Sequence, residues 1–234
     1  MPDQHTVETG RARLAYRVCG PPDAPPLVLL HALGEGARDW EDVTPAFSRR
    51  RRVYAVDLRG HGGSDRPGAY SLELMRDDVL GFLDALALDR VDLIGHSLGG
   101  MVAWMLAAAH PQRLDRLILE DVPAPLPRER VVPERPEGPL SFDWDMVLAV
   151  RQQIDTPDAA WLALLGRITA RTLVLAGGPQ SPVPQERIAE LARRVPHARL
   201  LTVPAGHLIH RTAPGRFTDA VLEFLEDRAP SGGG

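Results

Sequence analysis

Lysine is absent from the 234 residues: all 27 basic side chains are arginine, set against 31 acidic ones, for a formal net charge of −4. A chain so close to charge balance lacks the basic footprint that nucleic-acid binding needs. Residues 49–52 form its one sharp arginine cluster, which reads as a solvated turn ahead of a strand. Cysteine is nearly absent too, and Cys19 alone cannot close an intramolecular disulfide. No apolar run approaches the roughly 18–20 residues of a membrane span. Residues 1–18 carry charges where a signal peptide would have its apolar core, so a cytoplasmic protein without membrane contact is the expectation. There is no phosphate-cradling loop with its lysine and no Cys/His ligand cluster, and neither metal nor cofactor is expected. No internal repeat is visible.

What is present is a rhythm of short aliphatic runs. PLVLLH (residues 26–31), RVYAVDL (52–58), VDLIGH (91–96), RLILED (116–121), TLVLAGG (172–178) and ARLLTVP (198–204) read as strands. They do not alternate apolar with polar, as expected of parallel strands covered on both faces. Leu72, Met75, Val79, Phe82, Leu83 and Leu86 recur at helical spacing, as do Ile188, Leu191 and Val195, and then Phe217, Val221, Leu222 and Leu225. Residues 6–18, broken at Thr9-Gly10-Arg11, suggest an edge hairpin. The alternation predicts an α/β fold with a mostly parallel sheet, in one domain over residues 1–228. Residues 122–168 interrupt the pattern. They hold prolines at 123, 125, 127, 133, 136 and 139 and then two helical patterns, around Trp144 and around Trp161, as expected of a small cap insertion. Residues 229–234, rich in Pro, Ser and Gly, read as a disordered tail.

Gly95-His96-Ser97-Leu98-Gly99 matches G-x-S-x-G directly after a strand and at the start of a helix. Reversing the chain within so few residues forces the serine into sparsely populated backbone angles, and glycines keep its neighbours from clashing. A serine hydroxyl then needs a base. His207 follows the last strand, as the chain order serine, acid, histidine requires, and His210 is the alternative. His31 and His61 precede the serine and read as structural or pocket-lining; His96 should point away from Ser97. The oxyanion of an attacked carbonyl needs backbone N–H donors, for which Leu98 and Leu33 are the candidates.

LVLLHALGEGARDW, VDLRGHGGSDRP, GHSLGG and AGHLIH together resemble the α/β-hydrolase fold family, in its single-domain esterase/lipase-like group. The resemblance implies about eight strands, a cap inserted after strand six and a Ser-acid-His triad. Two departures stand out. The oxyanion turn reads His31-Ala32 where His-Gly is usual, which leaves the backbone donor in place. The loop after strand seven, Gly177-Gly178-Pro179-Gln180-Ser181-Pro182-Val183-Pro184, lacks the usual aspartate, and Gln180 cannot replace it. Some family members place the acid after strand six, where this chain has Glu120 and Asp121. Consecutive strand residues point to opposite sides, so only one should reach His207; Asp121 is favoured, with Glu120 as the alternative acid. Both could instead be strand-end carboxylates paired with arginines. Trp40, Trp144 and Trp161 are candidates to line a substrate pocket, or equally core residues. No arginine placement singles out a charged substrate. The expected function is acyl-enzyme hydrolysis of a small carboxylic ester or lactone. A carbon–carbon hydrolase, a cofactor-free perhydrolase, a lyase or oxygenase using the histidine as base, and a non-catalytic ligand-binding scaffold are the alternatives.

Overall fold

A computed structural model describes residues 3–227, so the expected tail at residues 229–234 lies outside the described residues. Its elements in chain order are β1 (Gln4–Glu8), β2 (Arg13–Cys19), β3 (Pro26–Leu30), α1 (Thr44–Phe47), β4 (Arg52–Val56), α2 (Leu72–Ala85), β5 (Val91–His96), α3 (Leu98–Ala109) and β6 (Leu114–Glu120). They continue with α4 (Trp144–Asp155), α5 (Trp161–Leu164), β7 (Arg171–Ala176), α6 (Gln185–Arg194), β8 (Ala198–Thr202), α7 (Ile209–Thr212) and α8 (Pro214–Glu226). The eight strands form one sheet in the order β1-β2-β4-β3-β5-β6-β7-β8. The β1–β2 hairpin adds antiparallel at one edge, and β2 pairs antiparallel with β4; the remaining pairings are parallel.

The aliphatic runs lie where two-sided burial requires them. Along β3, Leu27 and Leu29 pack with Trp40, Phe47 and Phe217 on one face of the sheet. Val28 and Leu30, one residue out of phase, pack with Phe82, Val102 and Trp104 on the other. Neither face is wet, so no polar alternation appears. Fully burying each such side chain is worth about 1.5–3 kcal/mol. Helix α2 starts where the Ser71 side chain accepts from Leu74 N at 3.1 Å. It ends where Ala87 turns to positive φ (53°).

Residues between β6 and β7 form no strand. They run irregularly to Asp143, which caps α4 by accepting from Asp145 N at 3.0 Å and is itself held by Tyr70 Oη at 2.5 Å. Met146, Val147 and Val150 of α4 then join the core. This insertion rests on the sheet edge that carries the site.

Candidate active site

Strand β5 stops at His96, helix α3 starts at Leu98, and Ser97 alone makes the corner, with φ 49° and ψ −112°. Such a conformation costs on the order of 1–3 kcal/mol and persists only where its surroundings hold it. Here Ser97 N donates to Glu120 O at 3.0 Å, and Ser97 O accepts from Met101 N at 3.0 Å, tying the corner to β6 and to α3. The glycines are a matter of clearance. A Cβ on Gly99 would sit 2.2 Å from Leu30 O, and one on Gly95 2.5 Å from Gly99 O. Both obstructions are backbone, so neither can swing aside.

Asp121 lies one residue past the end of β6 at φ 51°, in the left-handed region that aspartate tolerates better than most. Its Oδ2 is 2.6 Å from His207 Nδ1. The carboxylate is fully buried, and the turn after β7 satisfies it: Gly177 N donates to Oδ1 at 2.7 Å and Ser181 Oγ to Oδ2. The loop that lacks an acid therefore supplies two donors to the acid of the neighbouring strand. Ser181 had no signal in the sequence beyond its place in that departing loop.

Glu120 faces elsewhere. Its carboxylate accepts from His210 N at 2.9 Å and meets His210 Nδ1 at 2.9 and 2.8 Å. On the far side of the ring, Asp39 Oδ1 lies 3.2 Å from His210 Nε2, near enough for an ion pair though not aligned as a hydrogen bond, and Arg211 Nε contacts the same oxygen. Burial opposes charging His210, but the Glu120 and Asp39 carboxylates outweigh it and push the imidazole up to about 9. Burial likewise opposes ionising Asp39, and His210 and Arg211 together still hold its carboxyl below the usual range. His210 is thus a buried cation clamped between two carboxylates, with the Trp40 ring 4.4 Å away. Asp39, His96 and His210 bring ligand-type atoms within 4.8 Å of one another; Arg211 and the His210 cation already offset the Asp39 carboxylate there, and Glu120 offsets the charge on His210.

The other buried histidines act as struts. His31 Nε2 accepts from Leu58 N at 3.0 Å, and its Nδ1 lies 2.7 Å from Ala32 O. His61 Nε2 accepts from Gly34 N at 3.1 Å, and its Nδ1 faces Arg59 O at 3.1 Å. Together they pin the turn that carries Leu33. Burial lowers His31 and takes His61 down to about 3, so both are neutral and each nitrogen has a fixed role. His96, which burial takes down to about 4, faces His207 O through Nε2 at 2.9 Å and so fixes the backbone of the His207 loop.

Ser97, His207, Leu33 and Leu98 all border one cavity of about 640 Å³, walled by Met101, Pro123, Leu126 and Ile154 among others. Leu98 is the first residue of α3, so its N–H has no intrahelical partner. The three tryptophans, offered as pocket-lining or equally as core residues, do not line it. Trp40 is fully buried against His210 and Phe217, Trp161 is buried edge-on to Trp104, and Trp144 packs partly buried against the core. Their large apolar area is spent on holding the insertion and α8 to the sheet. Leucine, methionine and proline form the cavity wall instead.

The α/β hydrolase fold family model matches residues 25–146. The chain belongs to the α/β-hydrolase fold family. This α/β-hydrolase is 33% identical over 158 residues to an AB hydrolase superfamily protein of Bacillus subtilis, a match spanning 66% of this chain and 54% of that protein. The chain thus spans about half the length of that relative. It is 28% identical to the mouse sn-1-specific diacylglycerol lipase, over 91% of this chain and 85% of the lipase. Among solved structures, a hydrolase of Pseudomonas aeruginosa superposes with a TM-score of 0.76 at 30% identity, covering 96% of this chain and 99% of that one. No helix among the described residues is long and apolar enough to cross a membrane.

Proposed function

We propose that this α/β-hydrolase cleaves a small carboxylic ester or lactone through an acyl-enzyme, with Ser97 as nucleophile, His207 as base and then acid, and Asp121 as the residue that orients His207. The observation that carries the reading is the 2.6 Å contact between His207 Nδ1 and the buried Asp121 carboxylate, beside a cavity that Ser97 also borders. A carboxylate on Nδ1 fixes the tautomer with Nε2 free to accept a proton, and it stabilises the imidazolium that follows.

In the first half-reaction Ser97 Oγ gives its proton to His207 Nε2 and bonds to the carbonyl carbon. The N–H groups of Leu33 and Leu98 receive the oxyanion. Collapse breaks the carbon–oxygen bond, and the leaving alkoxide takes the proton from His207. Water then repeats the sequence on the acyl-enzyme and regenerates Ser97. In a lactone the leaving oxygen stays tethered to the acid. The cavity volume suits a small molecule, and the mouse lipase relative is an ester hydrolase by its name.

The test is labelling with a fluorophosphonate. Wild-type protein should take up the probe at Ser97, Ser97→Ala should not, and acyl esters and lactones of graded length should be hydrolysed only by the former. Folded wild-type protein that resists the probe and cleaves none of them would make the protein a non-catalytic binder.

A further inference from the structure

The cavity around Ser97 and His207 has apolar walls but carries four formal charges, on Glu35, Arg128, Arg151 and Arg187. Two of them are spent locally. Arg128 Nε donates to Asp155 Oδ1 at 2.5 Å, and Glu35 Oε2 accepts from Arg211 at 2.7 Å. Arg187 donates to the carbonyls of Leu126 and Pro127 at 3.0 and 2.9 Å, which fixes its guanidinium without neutralising it. Among the described residues neither Arg151 nor Arg187 has a carboxylate partner. Arg151 goes further: its Nε is sealed from solvent and has no hydrogen-bond partner.

An N–H of a cation left unpaired and desolvated carries the full desolvation penalty of that group with nothing to offset it. One way to explain it is a snorkelling side chain whose stem covers apolar surface while its head stays in water. That account ignores the second uncompensated guanidinium on the same cavity. Arg151 and Ile154 stand three residues apart on α4 and so share the face that borders the cavity. Arg187 comes from α6 on another wall. Two guanidiniums without a carboxylate partner, from separate elements, border one mostly apolar cavity, and a guanidinium is the side chain whose N–H donors best match a carboxylate.

The geometry points to an anion subsite built from Arg151 and Arg187, and hence to a substrate that carries a carboxylate remote from its scissile carbonyl. This rests on Ser97 acting as the nucleophile of an ester hydrolase. The preferred substrates are then monoesters of dicarboxylic acids or lactones bearing an acid group, with the apolar wall between the charges and Ser97 accepting the intervening methylenes.

The experiment compares two para-nitrophenyl esters of matched shape, the glutarate monoester and the 5-methylhexanoate, which differ in a terminal carboxylate against an isopropyl group. Wild type should favour the glutarate ester in kcat/KM. Arg151→Leu should lower the ratio of the two kcat/KM values by roughly ten- to a hundredfold, through KM, and Arg151→Lys should recover part of it. Because both esters are read on the same preparation, a fraction of misfolded variant cancels from the ratio. A ratio unmoved by Arg151→Leu overturns the subsite. If wild type cleaves neither ester and Ser97 resists a fluorophosphonate, the hydrolase reading fails by itself. Calorimetric titration with glutarate then decides the subsite: binding that is lost in Arg151→Leu supports it, and absence of binding to wild type overturns it.

Discussion

Glu120 meets His210 Nδ1 with both carboxylate oxygens, at 2.9 and 2.8 Å, one residue before the carboxylate that meets His207. Adjacent acids thus serve different histidines, because the chain leaves the pleat between them: Glu120 ends β6 and Asp121 turns to positive φ. If Asp121 orients the base, Asp121→Asn should reduce turnover by about 10⁴, since the amide presents the wrong partner to Nδ1. Gln180→Ala should leave turnover near wild type. Steady-state kinetics on any cleaved ester, with probe labelling as a check on folding, compares the two. Equal activity in Asp121→Asn and wild type would remove Asp121 from the triad.

Glu120→Gln separates the second pair from the first. It keeps the shape but withdraws one of the two charges that hold His210 as a cation. The loss should appear as stability, roughly 1–3 kcal/mol in a urea titration. The folded fraction should still take up a fluorophosphonate at Ser97.

Ser181 is a positioning residue in this scheme, reaching Asp121 Oδ2 from the β7 turn. Ser181→Ala removes one donor to an ionised acceptor. That should lower kcat by about tenfold with KM unchanged, because the carboxylate that orients His207 is less well held. A purely structural role would lower thermal stability and leave kcat of the folded fraction, counted by fluorophosphonate labelling, in place.

The sheet was legible because buried parallel strands read as unbroken aliphatic runs, and β3, β5, β6 and β7 lie where those runs are. The corner at Ser97 was legible from its glycines, and its sharing of one cavity with His207 from chain order. That Asp121 meets His207 followed from the family resemblance, in which some members carry a carboxylate after strand six, and the residues alone did not choose it over Glu120. The pocket wall was not. Aromatic residues mark large apolar area without saying which side of a helix it faces, so Trp40 and Trp161, buried in the core, resembled pocket residues. Ser181 and the pairing of Glu120 with His210 depend on contacts across 60 and 90 residues of sequence, for which spacing gives no signal. Arg151 is one of 27 arginines, and a sealed, unpartnered Nε on the border of the cavity is what distinguishes it, which spacing cannot show.

Stability should fall on both sides of about pH 6.5, for opposite reasons. Burial lowers His31, His61 (to about 3) and His96 (to about 4), so the folded state keeps them neutral while the unfolded chain takes up protons below about 6.5. Each then removes about 1.4 kcal/mol of stability per unit of falling pH until its folded value is reached. His210 behaves the other way. Raised to about 9, it contributes fully below about 6.5, and its contribution is lost as pH rises from there through 9. Urea midpoints at several pH values between 5 and 9.5 should trace this dome. Asp39→Asn should flatten its alkaline side, and an alkaline side unchanged by that substitution would mean that His210 is not held charged.

Arg59 and Asp78 form a two-pronged buried pair that fastens the loop after β4 to α2, with Nε and Nη2 at 2.5 and 2.6 Å from the two carboxylate oxygens. Both side chains are almost wholly out of solvent. Burial pushes the Asp78 carboxyl up, and Arg59 only partly offsets it. Arg59→Leu should therefore cost about 3–5 kcal/mol, because it strands a carboxylate in the core. Adding Asp78→Leu should recover much of that loss, since an apolar pair of similar volume avoids both desolvation penalties. The four-member cycle, read by urea unfolding, isolates the coupling. A double variant no more stable than Arg59→Leu alone would show that the pair stabilises the fold by its own attraction, with desolvation a minor cost.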